Sequence, residues 1–95
     1  MSEALATIRN DENLREALGE LYAGDGQTYA DRLDAADSLP AVYELLIDAA
    51  AIATMSGDYV ARDSIREAAG RHHAALAGAR AAIVAARVAA TGAAS

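Results

Sequence analysis

Two adjacent histidines, a few evenly spaced carboxylates and a set of arginines are the side chains whose types and spacing could do chemistry in this chain. His72 and His73 point about 100° apart on a helix, so they cannot grip one ion together. Neither has an acid or another histidine three or four residues away, the spacing that would complete a metal site or a proton relay. Glu44 and Asp48 share a helix face at i, i+4 but lack the Glu-x-x-His partners of carboxylate-bridged metal pairs. The chain has no Cys, which excludes a thiol nucleophile, a disulfide and a thiolate ligand. No Ser lies in a Gly-x-Ser-x-Gly turn, and the loop at Gly24 and Gly26 lacks the Lys of a phosphate-binding loop. Tyr22, Tyr29, Tyr43 and Tyr59 are the only aromatics and suit core-edge packing or interface anchoring. The expectation is a non-enzyme with no metal and no cofactor.

Charge is unevenly placed. Residues 1–67 hold all fourteen acids against five Arg, a net of −9, while residues 68–95 hold Arg71, Arg80 and Arg87 and no acid, a net of +3. Such asymmetry points to a contact, within the molecule or between copies, although an acid-early, base-late order also suits a helix dipole. Glu12, Glu16 and Glu20 form an acidic ridge at i, i+4, and Arg66, His73, Arg80 and Arg87 form a basic stripe at intervals of seven. Three like charges at helical spacing repel unless something positive lies across them, so docking of the two ridges between subunits is one expectation and two solvated faces the other.

The elements that must position these groups are helices. In 95 residues there are 27 Ala but only 18 Leu, Ile and Val, which makes helix propensity high and the packing drive thin. A chain this short buries about 60–65% of its unfolded surface, and a partner chain is the simplest supplement. Ser2 can cap a first helix from Glu3 to about Arg9. Leu14, Leu18 and Leu21 then fall nearly opposite Leu5 and Ile8, so the phase breaks at residues 10–13, where Asn10 or Asp11 can cap a second helix running to Tyr22. Gly24 and Gly26 end it. A further helix spans about Thr28 to Ala36, with Tyr29, Leu33 and Ala36 inward. Ser38 and Pro40 open the next, which carries Leu39, Val42, Leu45, Leu46, Ala49, Ile52 and Ala53 on one face to about Met55. Gly57 stops it and Asp58 caps a last helix that can run from Tyr59 to about Ala90, weakened at Gly70 and Gly78, with its continuity at Gly70 left open. No strand pattern occurs. The expected fold is all-α, a small bundle of four or five helices with a long Ala-rich C-terminal helix. It forms one domain over 1–95, with acidic helices in 1–57, the basic Ala-rich helix in 58–91 and a frayed tail in 92–95.

That last helix carries the candidate interface. Gly70, Ala74, Gly78, Ala82, Ala86 and Ala90 recur at i, i+4, a small-residue ridge that lets another helix approach closely. Beside it runs a seam of Ile65, Ala69, His72, Leu76, Ala79, Ile83, Ala86 and Ala90, and Val84 and Val88 lie outside that seam. A helix apolar on more than one side is buried against several neighbours or a partner subunit. The interface residues expected are therefore Gly70, Ala74, Leu76, Gly78, Arg80, Ala82, Ile83, Val84, Arg87 and Val88.

Three stretches resemble known families. Residues 29–39, Tyr-Ala-Asp-Arg-Leu-Asp-Ala-Ala-Asp-Ser-Leu, resemble the segment around the phosphopantetheine serine of acyl carrier proteins, which implies Ser38 as the attachment site. The chain departs from that family at Pro40 and in its basic, Ala-rich last third. Residues 27–46, with Ala30, Val42 and Leu45, resemble a helix-turn-helix unit, which implies nucleic-acid binding. Its turn is about two residues too long, and the recognition helix would hold no Arg, Lys, Asn or Gln. A net charge of −6 opposes phosphate contacts as well. Gly57-Asp58-Tyr59 with Ala69 is similar to a tetratricopeptide turn, but an array needs about three copies.

The function expected is a non-enzymatic interaction or assembly protein that self-associates, or docks on a larger complex, through its C-terminal helix. A phage structural part, a small inhibitor and an accessory subunit all fit. The alternative is a carrier modified at Ser38, and the third a nucleic-acid binder using the Arg stripe. Met-Ser-Glu-Ala-Leu carries no signal-peptide pattern, and Arg80 and Arg87 interrupt the one apolar run long enough to suggest a bilayer crossing. A cytoplasmic protein, or part of a virion assembled there, with protein partners and no membrane, is expected.

Overall fold

Side chains that satisfy the free amides of helix starts divide the chain into its helices. A computed structural model describes residues 3–94, with side chains through Gly92. Among these the helices are α1 (Glu3–Arg9), α2 (Glu12–Gly19), α3 (Tyr29–Ala35), α4 (Leu39–Ser56), α5 (Tyr59–Arg71) and α6 (His73–Ala94). Ser2 and Ser95 lie outside the described residues. Asp11, Thr28, Ser38 and Asp58 each accept a backbone N–H from three residues on, capping α2, α3, α4 and α5. Gly57 ends α4 at φ +78°, a left-handed conformation that needs no Cβ. The fold is the expected all-α small bundle with a long C-terminal helix.

Three boundaries and one reading of membrane spans differ from expectation. The helix expected over 58–91, whose continuity near Gly70 the sequence leaves open, divides at His72, which gives six helices. His72 leaves helical geometry at φ −103°, ψ 22°, its N–H closes on Ala68 and Gly70 carbonyls, and its ring is held from across the chain, as described below. Gly70 had already weakened helix propagation there by about 1 kcal/mol. Second, α2 ends at Gly19 rather than near Tyr22. Leu21 is drawn into the core, and the following loop closes on itself through Ala23 N–H to Gln27 O at 2.8 Å and Tyr29 N–H to Leu21 O at 3.0 Å. Third, α6 stays helical through Ala94, past the point of expected fraying. The fourth correction concerns membrane spans. By length and mean hydropathy Leu39–Ser56 (1.3) and His73–Gly92 (1.4) both suffice to cross a bilayer, although Arg80 and Arg87 were expected to disqualify the second. Two arginines among twenty residues do not depress the mean of an alanine-rich window enough, and α4 passes because Glu44 and Asp48 are the only charged residues among its leucines, isoleucines and alanines.

The core draws on all six helices and on the loops either side of α3. Ile8, Leu14, Leu18, Leu33, Val42 and Ile65 are the largest fully buried side chains. In order of packing, α5 lies between α2 and α4, α4 lies between α5 and α6, and α3 spans α2 and α4. Alanine does the close packing between α4 and α5, where Ala49, Ala53, Ala61 and Ala68 are all buried. Leu76 and Ala79, with Ile83 half-buried beside them, hold α6 to the bundle. Beyond Ile83 every described side chain of α6 is exposed. The radius of gyration, 13.8 Å, exceeds the about 12.4 Å expected for this length because that half projects.

The small-residue ridge does not meet another helix within the protein. Gly70, Ala74, Gly78, Ala82, Ala86 and Ala90 are exposed, and a Cβ built at Gly70 or Gly78 meets nothing within 4 Å. The seam used instead is Leu76, Ala79, Ile83. Gly78→Ala is accordingly expected to stabilise the protein by about 0.5–1 kcal/mol through helix propensity alone. Thermal unfolding followed by circular dichroism should show a Tm rise of about 3–6 °C, and an unchanged or lowered Tm contradicts it.

Candidate functional site

An apolar groove lies along the seam of α4 and α6, lined mainly by alanine, leucine and valine. Tyr43 of α4 and Ala69 of α5 form one wall. His73, Leu76, Ala77, Arg80, Ala81, Val84 and Ala85 of α6 form the other, around a volume of about 590 Å³. Hollows of about 220 and 250 Å³ continue it past Leu46, Ile47, Ala50 and Arg66 in one case and past Glu44, Ile47, Ile83 and Arg87 in the other. Tyr43 lines all three. Ile47 and Val84 are each 51% exposed and Val88, one turn beyond Val84, 65% exposed. Exposed apolar side chains gathered in one concavity mark a binding surface, whereas single ones do not.

The basic stripe edges this groove. Arg66, His73, Arg80 and Arg87 each line one of the three hollows. The alternation at intervals of seven follows from α4 crossing α6 along one stripe, so that Leu76 and Ile83 face inward and Arg80 and Arg87 fall at the margin. Arg87 comes within 3.9 Å of Glu44, both largely in solvent, which is worth at most about 1 kcal/mol. Arg66 and Arg80 make no ion pair among the described residues.

The acidic ridge is elsewhere. Glu16 and Glu20 line a hollow of about 250 Å³ between α2 and α5, together with Asn13, Val60, Ser64 and Glu67. None of Glu12, Glu16, Glu20 and Glu67 makes an ion pair among the described residues. Within one molecule, then, the basic stripe meets Glu44 and not the ridge.

The best-defined polar cluster joins residues sixty apart. Asp11, the cap of α2, receives Arg71 Nη2 at 3.0 and 2.8 Å, Arg71 Nε at 3.2 Å and His72 Nε2 at 2.9 Å. A carboxylate only accepts, so His72 carries its proton on Nε2. Burial alone pushes the Asp11 carboxyl up, but the bonds from Arg71, His72 and the Leu14 N–H outweigh it and hold the group below the usual carboxylate range. Sequence spacing gave His72 no partner because the partner lies on α2, and Asp11 was legible only as a cap. Arg71 lies four residues after Glu67 but is paired with Asp11 instead.

No family model, curated protein or solved structure matches this chain. The site must be judged on its chemistry.

Each expected interface residue has a place. Leu76 is buried against α4 and Ile83 half-buried. Arg80, Val84 and Arg87 border the groove, with Val88 on the same side beyond it, and Gly70, Ala74, Gly78 and Ala82 face solvent away from any neighbour. The groove's other wall, Tyr43 and Ile47, was missed. Tyr43 had been noted as an aromatic at an edge, and Ile47 lies outside the apolar face assigned to α4. Ser38 Oγ sits 3.3 Å from the Ala41 N–H as the cap of α4, which accounts for a serine there. Among the described residues no group of three or more His, Asp or Glu is arranged to hold a metal.

Proposed function

We propose that the protein is a non-catalytic docking module whose α4/α6 groove holds an acidic amphipathic helix of a partner protein. The observation that carries this is the convergence of Tyr43, Ile47 and Val84 on one groove edged by four basic side chains, two of them arginines without an ion pair. An apolar floor selects a helix with apolar anchors at i, i+3 and i+4, and the rim favours acids flanking them. The bilayer is a weaker occupant, since each Arg at a helix centre costs about 2.5–3.5 kcal/mol and alanine contributes little in return. Leu76 and Ala79 would also have to leave α4.

A labelled synthetic helix with leucines at that spacing, flanked by glutamates, is the probe. Fluorescence anisotropy should show saturable binding, weakened at least tenfold by Arg80→Glu with Arg87→Glu and by high salt. Equal binding of a peptide with the same composition in scrambled order overturns the reading. So does sedimentation of the chain with anionic vesicles when the peptide does not bind.

A further inference from the structure

We infer that the occupant of the groove is a second copy of this chain, docked head to tail through the acidic face of its α2 and α5. The inference rests on the groove reading above and names its partner. The acidic face supplies the acids that the rim favours: three carboxylates, Glu16, Glu20 and Glu67, around one hollow, with no ion pair among the described residues. Val60 borders the same hollow at 79% exposure. An acidic patch with an apolar projection thus complements an apolar groove with a basic rim.

The division of charge, −9 over residues 1–67 and +3 over 68–95, matches the same pairing. Within one molecule the two faces do not pair: among the described residues Arg87 reaches Glu44, Arg66 and Arg80 reach no acid, and Glu16, Glu20 and Glu67 reach no base. Each copy that fills its groove still offers an unused acidic face. Such a contact is heterologous and propagates into a ring or an open chain, whereas an isologous contact would stop at two.

Sedimentation velocity of the full chain at low salt tests this, with two variants whose changes are all exposed. Glu16→Arg with Glu20→Arg removes the acidic face, and Arg80→Glu with Arg87→Glu removes the rim; circular dichroism first confirms that both are helical. The wild type is expected to gain mass with concentration beyond two copies and to lose at least tenfold in association at high salt. Each variant alone should stay monomeric. Mixed in equal amounts they should associate again beyond two copies, because the unchanged groove of one meets the unchanged acidic face of the other and the reversed face and reversed rim are again opposite in charge. A wild type that is monomeric throughout overturns the inference. So does one that saturates at two copies and still pairs when Glu16 and Glu20 are reversed, since that contact is isologous. Peptide binding in the groove alongside either result leaves the docking reading standing, and loss of peptide binding removes both.

Discussion

Asp11→Ala is expected to cost about 2–3 kcal/mol at neutral pH, a large share of the 5–14 kcal/mol typical of a chain this long. The residue is a single carboxylate with two tasks. As the cap of α2 it accepts the Leu14 N–H, which is worth about 1 kcal/mol. As the acceptor for Arg71 and His72 it ties the end of α5 and the start of α6 to the start of α2. Charged hydrogen bonds contribute about 1.5–3 kcal/mol when dry. The lower end applies here, because the Arg71 side chain is 42% exposed although Asp11 itself is only 10% exposed. Tm should fall by about 10–20 °C. Asp11→Asn keeps an acceptor for Leu14 and should lose about half as much.

The pH dependence of the same contact has a definite sign. Its folded-state carboxyl titrates below the ordinary value of 3.8, so the contribution is complete above that value and disappears as the pH falls through the lower, folded one. The stability gap between wild type and Asp11→Ala should therefore hold from pH 7 to about 5 and close under more acid conditions. Denaturant unfolding at several pH values reads it. A gap unchanged down to pH 3 would mean that the carboxylate charge contributes nothing.

Leu18→Ala should have the largest effect on stability, and Val84→Ala and Val88→Ala almost none, although all are apolar residues on helices. Leu18 is fully buried in the core. Its truncation removes the transfer energy of the lost carbons and leaves a space the neighbours fill only in part, about 3–4 kcal/mol. Val84 and Val88 are more than half exposed, so their truncation should change stability by less than about 0.5 kcal/mol. Binding should show the reverse order. Val84→Ala is expected to weaken the glutamate-flanked peptide at least fivefold, because an exposed valine beside the groove gains its burial only on docking. Chemical denaturation gives the stabilities and anisotropy the affinities. Destabilisation by Val84→Ala comparable to that of Leu18→Ala would place Val84 in the core and remove it from the docking surface.

Local rules made much of the fold legible. A cap acts over three residues, so Ser38, Asp58 and Gly57 could be assigned from the residues beside them, and Asp11 could be narrowed to a choice with Asn10. Apolar periodicity placed Val42, Leu45, Leu46, Ala49 and Ala53 on the buried face of α4, and all are buried. The site was legible on one side only. The stripe of Arg66, His73, Arg80 and Arg87 and the place of Val84 outside the seam followed from spacing along α5 and α6. Tyr43 and Ile47 join them because α4 crosses α6, which no spacing along either helix records.

The amino-acid order alone determined an all-helical chain, most of its helix boundaries, its divided charge and its alanine-rich final third. Each of these depends on interactions between residues near one another in sequence. Tertiary structure decided that the final helix breaks at His72, where Asp11, from sixty residues away, takes up Arg71 and His72. It also decided which stripe of α6 is used. Gly70, Ala74, Gly78 and Ala82 offered the closest approach, but Leu76, Ala79 and Ile83 offered more apolar area to α4. Burial of that area outweighs proximity of backbones. What remains exposed on α6, valine and arginine along one groove, is the consequence of that choice.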